Sequence, residues 1–263
     1  MVVVKLGGGL LDDAKACAAL WAQIADAQEP IVVVHGGGAS VDELLRALGR
    51  PIEKINGLRV TPEADIDLVA GVLAGTLNTR IVAQLHLAGV HAVGLSLGDG
   101  PGGTIVERVA DKRLGCVGEV TGGDGKLITL LLGEGYVPVV SSIGIDSGGQ
   151  LLNVNADAAA LGVAGAIGAE SVLFLSDVPG ILDAGGEVIG SLDADKVEEL
   201  ICSGVISGGM ASKARSAVAA VERFGVAAMI ASWNEPLDLH GGGTGTTLRP
   251  TERGRLRPTP TSF

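Results

Sequence analysis

VVVKLGGG, residues 2–9, begins with three valines and ends in three glycines, with Lys5 between them. Asp12 follows and begins a helical spacing of apolar residues that continues to Ile24. The same order returns at residues 31–38, IVVVHGGG, before a second helical spacing. Two strand–glycine–helix units in series predict a parallel sheet with right-handed crossovers. The chain is therefore expected to be an α/β protein.

Start signals give the expected helix boundaries. Ser40 and Glu43 are spaced as a capping box, so the second helix is expected to begin at Ser40. Thr61-Pro62 is a cap followed by proline, and the apolar spacing after it predicts one long helix that ends near Gly89. A later helix is expected over about residues 158–167.

Residues 98–125 are rich in glycine and β-forming residues, and within them 104–109 and 116–120 predict an antiparallel hairpin flap. Residues 98–103 match G-x-G-x-x-G, but a dinucleotide site requires a helix after the glycines, and a β-forming segment follows instead. This argues against a Rossmann dehydrogenase. The chain also lacks the G-x-x-x-x-G-K-[ST] pattern of Walker-type enzymes.

A hydrolase is a second interpretation to test. Residues 94–98 fit the G-x-S-x-G nucleophile elbow, residues 35–38 fit the upstream oxyanion motif, and His240 could complete the order. The elbow must run directly into a helix. Ser96 is instead succeeded by residues 99–101, Asp-Gly-Pro, and a β-forming segment. The segment after Ser96 therefore argues against a hydrolase.

Composition limits the partners. Hydrophobic residues make up 47% of the chain and aromatic residues 2%, so the core must be aliphatic. The net charge of -11 argues against nucleic acid, because such a surface could not neutralise a row of phosphates.

Three distant cysteines without C-x-x-C spacing predict neither a disulfide framework nor a zinc site. No apolar run reaches the roughly 18 residues of a membrane span, and Asp12-Asp13 interrupts any signal peptide, so we expect a cytoplasmic protein.

The second half of the chain repeats the α/β order of the first, with no charge block or Ser/Pro-rich linker between them. We therefore expect one domain, residues 1–263, whose two lobes share a continuous sheet. The lobe change is expected near Asn153, giving lobes of about residues 1–152 and 153–250. Residues 251–263 are rich in Pro, Thr and Arg and are expected to form a flexible tail.

Several polar residues are candidates for a phosphate-handling site. A glycine turn between a strand and a helix presents amides and the positive end of a helix dipole, although glycine there can also simply relieve crowding. Lys5 beside the first turn favours phosphate binding. Arg59 either grips a carboxylate with its planar fork or is solvated. Asn153, Asn155 and Asp157 alternate at the end of a strand, so they are expected to point to one side.

Six segments, taken in order, resemble the acetylglutamate kinases of the amino acid kinase family. They are Lys5-Leu6-Gly7-Gly8, Val34-His35-Gly36-Gly37-Gly38, Asn56-Gly57-Leu58-Arg59-Val60-Thr61, Asn153-Val154-Asn155-Ala156-Asp157, Ser176-Asp177-Val178-Pro179-Gly180-Ile181, and Gly209-Met210 with Lys213. The resemblance covers nearly the whole chain. The N-G-L-R-V-T segment together with N-V-N-A-D is the part that resembles acetylglutamate kinases in particular.

The resemblance implies a three-layer αβα sandwich with a mainly parallel, eight-stranded sheet. It also implies a kinase that uses ATP and Mg²⁺ to phosphorylate the side-chain carboxylate of N-acetyl-L-glutamate in arginine biosynthesis. The amino-terminal lobe would bind this substrate and the carboxyl-terminal lobe would bind the nucleotide. An enzyme with a carboxylate nucleophile needs no general base, because that group, with a reference pKa of about 4.3, is already ionised at neutral pH.

Site residues are implied by the same resemblance. The implied catalytic residues are Lys5 and Lys213, as cations, and Asp157, which orients both. The implied residues for the acylated amino acid are Gly37, Gly38, Arg59 and Asn153. The implied nucleotide site comprises Gly7, Gly8, Asp177, Val178, Pro179, Gly180, Ile181, Leu182, Val205, Ile206 and Ser207. No metal ligand is expected from the protein itself.

Two departures from the family pattern stand out. Gly208 occupies a position where an acidic residue would be expected, which puts the local hold on the nucleotide in doubt. The first strand begins at Val2, so the N-terminal helix of the arginine-inhibited hexameric members has no counterpart. We therefore expect a homodimer without strong feedback by arginine.

Two alternative functions remain open. A kinase for aminoadipate attached to a carrier protein would need a more basic mouth than Arg50 and Lys54 provide. A non-catalytic amino-acid sensor on the same fold would not require Lys5, Asp157 and Lys213 together. Both alternatives would recognise a small molecule or a carrier protein, and neither involves nucleic acid or a membrane.

Overall fold

The computed structural model describes residues 1–100, 104–235 and 245–251. Its strands are β1 Val2–Leu6, β2 Ile31–His35, β3 Lys54–Ile55, β4 Leu58–Arg59, β5 Ala92–Ser96, β6 Thr104–Arg108, β7 Val117–Gly123, β8 Val137–Ser141, β9 Ile143–Ile145, β10 Leu151–Val154, β11 Ser171–Ser176, β12 Ser191–Leu192, β13 Ala227–Ser232 and β14 Thr246–Leu248. Its α-helices are α1 Gly8–Leu11, α2 Ala14–Asp26, α3 Gly38–Ala47, α4 Ile66–Ala70, α5 Asn78–Leu87, α6 Lys126–Gly133, α7 Ala156–Ile167, α8 Ala194–Cys202 and α9 Gly208–Phe224. A π-helical segment, Gly71–Leu77, joins α4 to α5, and Lys112–Leu114 is a single 3₁₀ turn.

Eight strands form the central sheet, in the order β12-β14-β13-β11-β1-β2-β8-β5. Every neighbouring pair is parallel except β13 with β14. The strands that precede β9 in the chain occupy one half of this sheet, and the later strands occupy the other half. The predicted α/β fold with a mainly parallel sheet is confirmed.

The sheet has an apolar core on each face, because alternate residues of its buried strands point to opposite sides. On β2, Val32 and Val34 belong to a core that also contains residues of α7 and α9. Val33, between them, belongs to a second core with residues of α2, α3 and α5. Helices on both faces give the three-layer αβα sandwich.

Two predicted helix starts were wrong. α3 begins at Gly38, and Gly37 takes the cap position, so the capping box expected at Ser40 does not form. α2 is capped by Asp13, not Asp12, because the Asp13 side chain accepts hydrogen bonds from the first amides of the helix. Local side-chain signals therefore placed these two helices only approximately.

The long helix also begins later than predicted, at Ile66, not at Pro62. Thr61 is not its cap, because the Thr61 backbone forms an isolated parallel bridge with Gly115, in the connection between the flap strands β6 and β7. Its amide donates to the Leu114 carbonyl at 2.9 Å, and its carbonyl accepts from the Cys116 amide at 2.6 Å. This pairing ties the N-G-L-R-V-T segment to the flap.

The predicted flap hairpin is confirmed, with β6 antiparallel to β7. It extends into a four-stranded sheet, β6-β7-β10-β9, which brings β10 beside the flap. Helix α6 was not predicted. Its sequence, KLITLLLG, is a short apolar run that period alone cannot assign to a helix or a strand.

The helix Ile66–Leu87 is long and apolar enough to cross a membrane by length and composition. A core helix of a soluble protein passes the same test. Leu73, Leu77, Ile81 and Leu85 of this helix are buried in the core on one face of the sheet. The helix therefore serves here as a layer of the sandwich.

Candidate active site

Two cavities open at the carboxyl ends of the central strands and share the side chains of Lys5 and Asp157. The first has a volume of about 230 Å³, and the second about 280 Å³. Lys5 Nζ lies 2.6 Å from Asp157 Oδ1, and both side chains are mostly buried. β1 supplies the lysine and the first turn of α7 supplies the aspartate. The ion pair therefore stands at the boundary between the cavities.

Asp157 reaches this place by a different route from the predicted one. Asn155 is the cap of α7, and its side chain accepts hydrogen bonds from the amides of Asp157 and Ala158. The strand therefore ends at Val154, and strict alternation does not continue to Asp157. Asn153 on β10 and Asp157 on α7 nevertheless line the same cavity.

Arg59 lines the first cavity, and only 8% of its side chain is exposed. Its Nη2 donates to the Gly38 carbonyl at 3.0 Å, and its Nη1 forms an ion pair with Asp42 Oδ1. Lys54 Nζ lies 3.9 Å from the other oxygen of the same carboxylate. Arg59 is thus not a solvated side chain, since its guanidinium is held in place at the cavity wall.

A tight hairpin turn, which was not predicted, holds this arginine in position. β3 and β4 form a two-residue hairpin whose corner is Asn56-Gly57, with φ of 52° and 84°. Asn-Gly with positive φ at both positions is the favoured two-residue hairpin corner. The Asn-Gly pair between two β-forming residues was the signal that could have predicted it.

The glycine loop after β2 forms another wall of the first cavity, which Gly36, Gly37 and Gly38 all line. Gly37 has φ of 152°, and a Cβ there would collide with the Leu77 side chain at Cδ2. Only glycine fits this position, because both the backbone angle and the neighbouring helix exclude a side chain. Helix α3 begins immediately after it, so the first amides of the helix are near the cavity.

His35, directly before this loop, is fully buried and is not exposed to the cavity. Its Nδ1 lies 2.8 Å from the Gly36 carbonyl oxygen, and its Nε2 lies 3.0 Å from Asn78 Nδ2. Burial lowers the pKa of His35 from 6.5 to about 4, so the ring is neutral at physiological pH. Neither His35 nor Asn78 was among the predicted site residues.

Asn153 donates a hydrogen bond from Nδ2 to Thr61 Oγ1 at 3.0 Å. Thr61 Oγ1 in turn donates to the Arg59 carbonyl at 3.1 Å. This chain of hydrogen bonds joins β10 to the segment that carries Arg59. It therefore brings together two predicted substrate residues that are far apart in the sequence.

The second cavity is lined by Gly7, Gly8 and Gly9 on one side and by β11, Asp177 and Trp233 on the other. A Cβ on Gly7 would lie 2.5 Å from the Leu175 carbonyl oxygen, so glycine is required there by close approach. Around Gly8 there is no heavy atom within 4 Å of such a Cβ. Trp233, which was not among the predicted site residues, also lines this cavity.

The predicted nucleotide residues are only partly brought together. Gly7, Gly8 and Asp177 line the second cavity. Ile181 and Ile206 are buried in the core, and the Ile181 amide donates to Thr246 Oγ1 at 2.7 Å. Six further predicted residues line neither cavity in the described part of the structure. They are Val178, Pro179, Gly180, Leu182, Val205 and Ser207.

Lys213 lies in α9, but its side chain is outside the described part of the structure, as are the side chains around Gly208. Residues 1–100, 104–235 and 245–251 contain no cluster of three His, Cys, Asp or Glu residues that could hold a metal ion. Ser96 ends β5 and is followed by a turn, so the helix that a nucleophile elbow needs is missing there. His240 lies outside the described residues.

Comparisons with known proteins give a consistent result. Residues 1–232 match the model of the amino acid kinase family. The acetylglutamate kinase of Serratia proteamaculans (strain 568) is 46% identical over 236 residues, which are 88% of this chain and 91% of that protein. The acetylglutamate kinase of Aeromonas hydrophila subsp. hydrophila is 46% identical over 255 residues, 94% of this chain and 97% of that protein.

A solved structure has the same fold. The crystal structure of smu.665 from Streptococcus mutans UA159 superposes with a TM-score of 0.78 at 28% identity. The match covers 94% of this chain and 98% of that one.

Proposed function

This chain belongs to the amino acid kinase family, and we propose that it is an acetylglutamate kinase that transfers the γ-phosphoryl group of ATP to the side-chain carboxylate of N-acetyl-L-glutamate, in arginine biosynthesis. The observation that carries the proposal is the Lys5–Asp157 ion pair at the boundary of two cavities. A phosphoryl group must pass from one ligand to another, and this boundary is where the two ligands would meet.

The first cavity suits the acylated amino acid. N-acetylglutamate carries two carboxylates, and Arg59 and Lys5 supply positive charge along the wall of this cavity. The starts of α3 and α7 also border the cavity and add the positive ends of two helix dipoles. We assign substrate binding to Gly37, Gly38, Arg59 and Asn153.

The second cavity suits the phosphates of the nucleotide, with Gly7, Gly8 and Asp177 at its wall. Position 213 lies one helical turn before Ala217, which lines the same cavity. This placement supports Lys213 as a second cation near the transferred group. We also propose that Val178–Leu182 and Val205–Ser207 contact the nucleotide, with residues 1–152 as the substrate lobe and 153–250 as the nucleotide lobe.

The expected chemistry is charge neutralisation more than proton transfer. The attacking carboxylate is already ionised, so the barrier comes from repulsion between two anions. Lys5 would neutralise charge on the transferred group, and Asp157 would hold the Lys5 ammonium in place without acting as a base.

Mg²⁺ fits this site as a companion of the nucleotide. It usually binds one or two protein carboxylates together with substrate phosphates, and Asp157 and Asp177 both line the second cavity. When bound, it would neutralise phosphate charge. Asp177 is the carboxylate to consider first, since Asp157 is paired with Lys5.

The direct test is hydroxylamine trapping of the acyl phosphate, with ATP and Mg²⁺. N-acetylglutamate should give hydroxamate faster than glutamate, aspartate, N-acetylaspartate or free aminoadipate. No hydroxamate from any of these acids would contradict the kinase. A preference for a free amino acid would move the chain elsewhere in the family.

We further propose that the enzyme is a cytoplasmic homodimer. β5 is an edge strand of the central sheet. Three large apolar side chains are exposed near this edge, Leu87 on α5, Leu130 on α6 and Tyr136 directly before β8, since α5 contacts β5 and α6 contacts its neighbour β8. An exposed edge with large apolar residues favours association. Light scattering after size exclusion should give twice the chain mass, and a hexamer would contradict the proposal.

A further inference from the structure

The buried pair His35–Asn78 lies behind the glycine loop of the first cavity. Asn78 Nδ2 donates to the Val139 carbonyl at 2.8 Å, so its NH₂ group, and not its oxygen, must face this part of the core. The same Nδ2 lies 3.0 Å from His35 Nε2, which must therefore be the acceptor nitrogen. The proton of the neutral ring is then on Nδ1.

With that proton, His35 Nδ1 donates a hydrogen bond to the Gly36 carbonyl oxygen at 2.8 Å. The Gly36 carbonyl and the Gly37 N–H belong to one planar trans peptide, in which the two groups point in opposite directions. Holding the carbonyl against the His35 ring therefore turns the Gly37 N–H away from the ring. Gly37 is a wall residue of the first cavity.

We propose that His35, with its tautomer set by Asn78, is a positioning residue that aims the Gly37 amide at the acylated amino acid. Its ring does not contact the ligand, because it lies buried in the core. The role rests on the proposed function, since it takes the first cavity as the substrate site. Its specific consequence is that His35 acts on the affinity for the amino-acid substrate and not on that for ATP.

The kinetic test compares His35→Leu, which removes the donor, with His35→Asn, whose side-chain amide can replace the Nδ1–H donor. His35→Leu should raise the KM for N-acetylglutamate about tenfold or more, while the KM for ATP changes less than about twofold. His35→Asn should restore the N-acetylglutamate KM to within about threefold of wild type. His86→Leu is the control, because it removes an exposed histidine that also bonds a backbone carbonyl, Ala92 O at 2.9 Å, at the far end of α5.

Equal rises in both KM values, or an Asn variant as impaired as the Leu variant, would overturn the positioning role. Should His35→Leu fail to fold, the long-range ¹H–¹⁵N spectrum of the histidine-labelled wild type decides the geometry. One ring should show the Nδ1–H tautomer, and its signals should disappear in His35→Asn. An Nε2–H ring at this position would refute the inference.

Different results would contradict the proposed function and the positioning role of His35. A wild type that forms no hydroxamate from N-acetylglutamate removes the proposed function, and the positioning role falls with it. An active wild type whose variants lose both affinities together leaves the kinase intact and removes only the role of His35.

Discussion

The burial of His35 predicts a pH dependence of stability that one substitution should abolish. The pKa of this ring is lowered from 6.5 to about 4 by burial, so the unfolded chain binds a proton at His35 more readily than the folded one. The contribution of His35 to the free energy of unfolding is therefore fully present above pH 6.5 and is lost as the pH falls towards 4. At pH 5.5 the His35 ring is about 90% protonated in the unfolded chain and hardly protonated in the folded one. This difference lowers the free energy of unfolding by about 1.4 kcal/mol relative to its value well above pH 6.5.

Urea unfolding of wild type and His35→Asn at pH 8.0 and 5.5 measures this difference. Both pH values lie above the sequence pI of about 4.8, so the chain keeps a net negative charge. The stability advantage of the wild type over the variant should shrink by about 1.4 kcal/mol between the two pH values. The other histidines contribute equally to both proteins. An advantage that stays constant between the two pH values would show that His35 is not a buried neutral ring in the folded protein.

Three further predictions concern the two cavities. Gly8→Ala should raise the KM for ATP but leave the unfolding free energy within about 1 kcal/mol of wild type. Gly7→Ala should clearly lower the melting temperature, because its Cβ would meet the Leu175 carbonyl. Similar melting temperatures for the two variants would contradict this difference. Lys5→Ala should reduce kcat at least about a hundredfold with much smaller changes in both KM values, measured by steady-state kinetics; equal losses in kcat and binding would point to a ground-state role. Arg59→Lys should raise the KM for N-acetylglutamate about tenfold, because an ammonium cannot keep both contacts of the guanidinium, and an unchanged KM would exclude Arg59 from the substrate site.

The order of strands and helices was largely predictable, because it depends on local pattern. β-branched runs followed by glycine predicted β1 and β2. Errors fell at helix starts. Thr61 has the sequence of a cap, but its backbone pairs with Leu114 and Cys116, in the connection between the flap strands. No local signal reports partners that lie more than 50 residues away in the chain.

The candidate site was predictable only where residues resemble those of the family. Lys5 and Asp157 were expected to act together, and the structure places their charged atoms 2.6 Å apart. Trp233 and the His35–Asn78 pair were missed. His35 stands in a glycine-rich motif, but nothing in that motif indicates a contact with Asn78. The contacts that give them meaning join residues from distant parts of the chain.

What the sequence alone determined is the alternation of strands and helices, the aliphatic core and the membership of the family, since these depend on residue type and on spacing along the chain. Tertiary structure decided which residues share a cavity. The Asn56-Gly57 corner turns Arg59 towards α3, and the parallel sheet brings β1 beside the start of α7. Such distances depend on how the elements pack, and packing is a property of the whole sheet and not of any one segment.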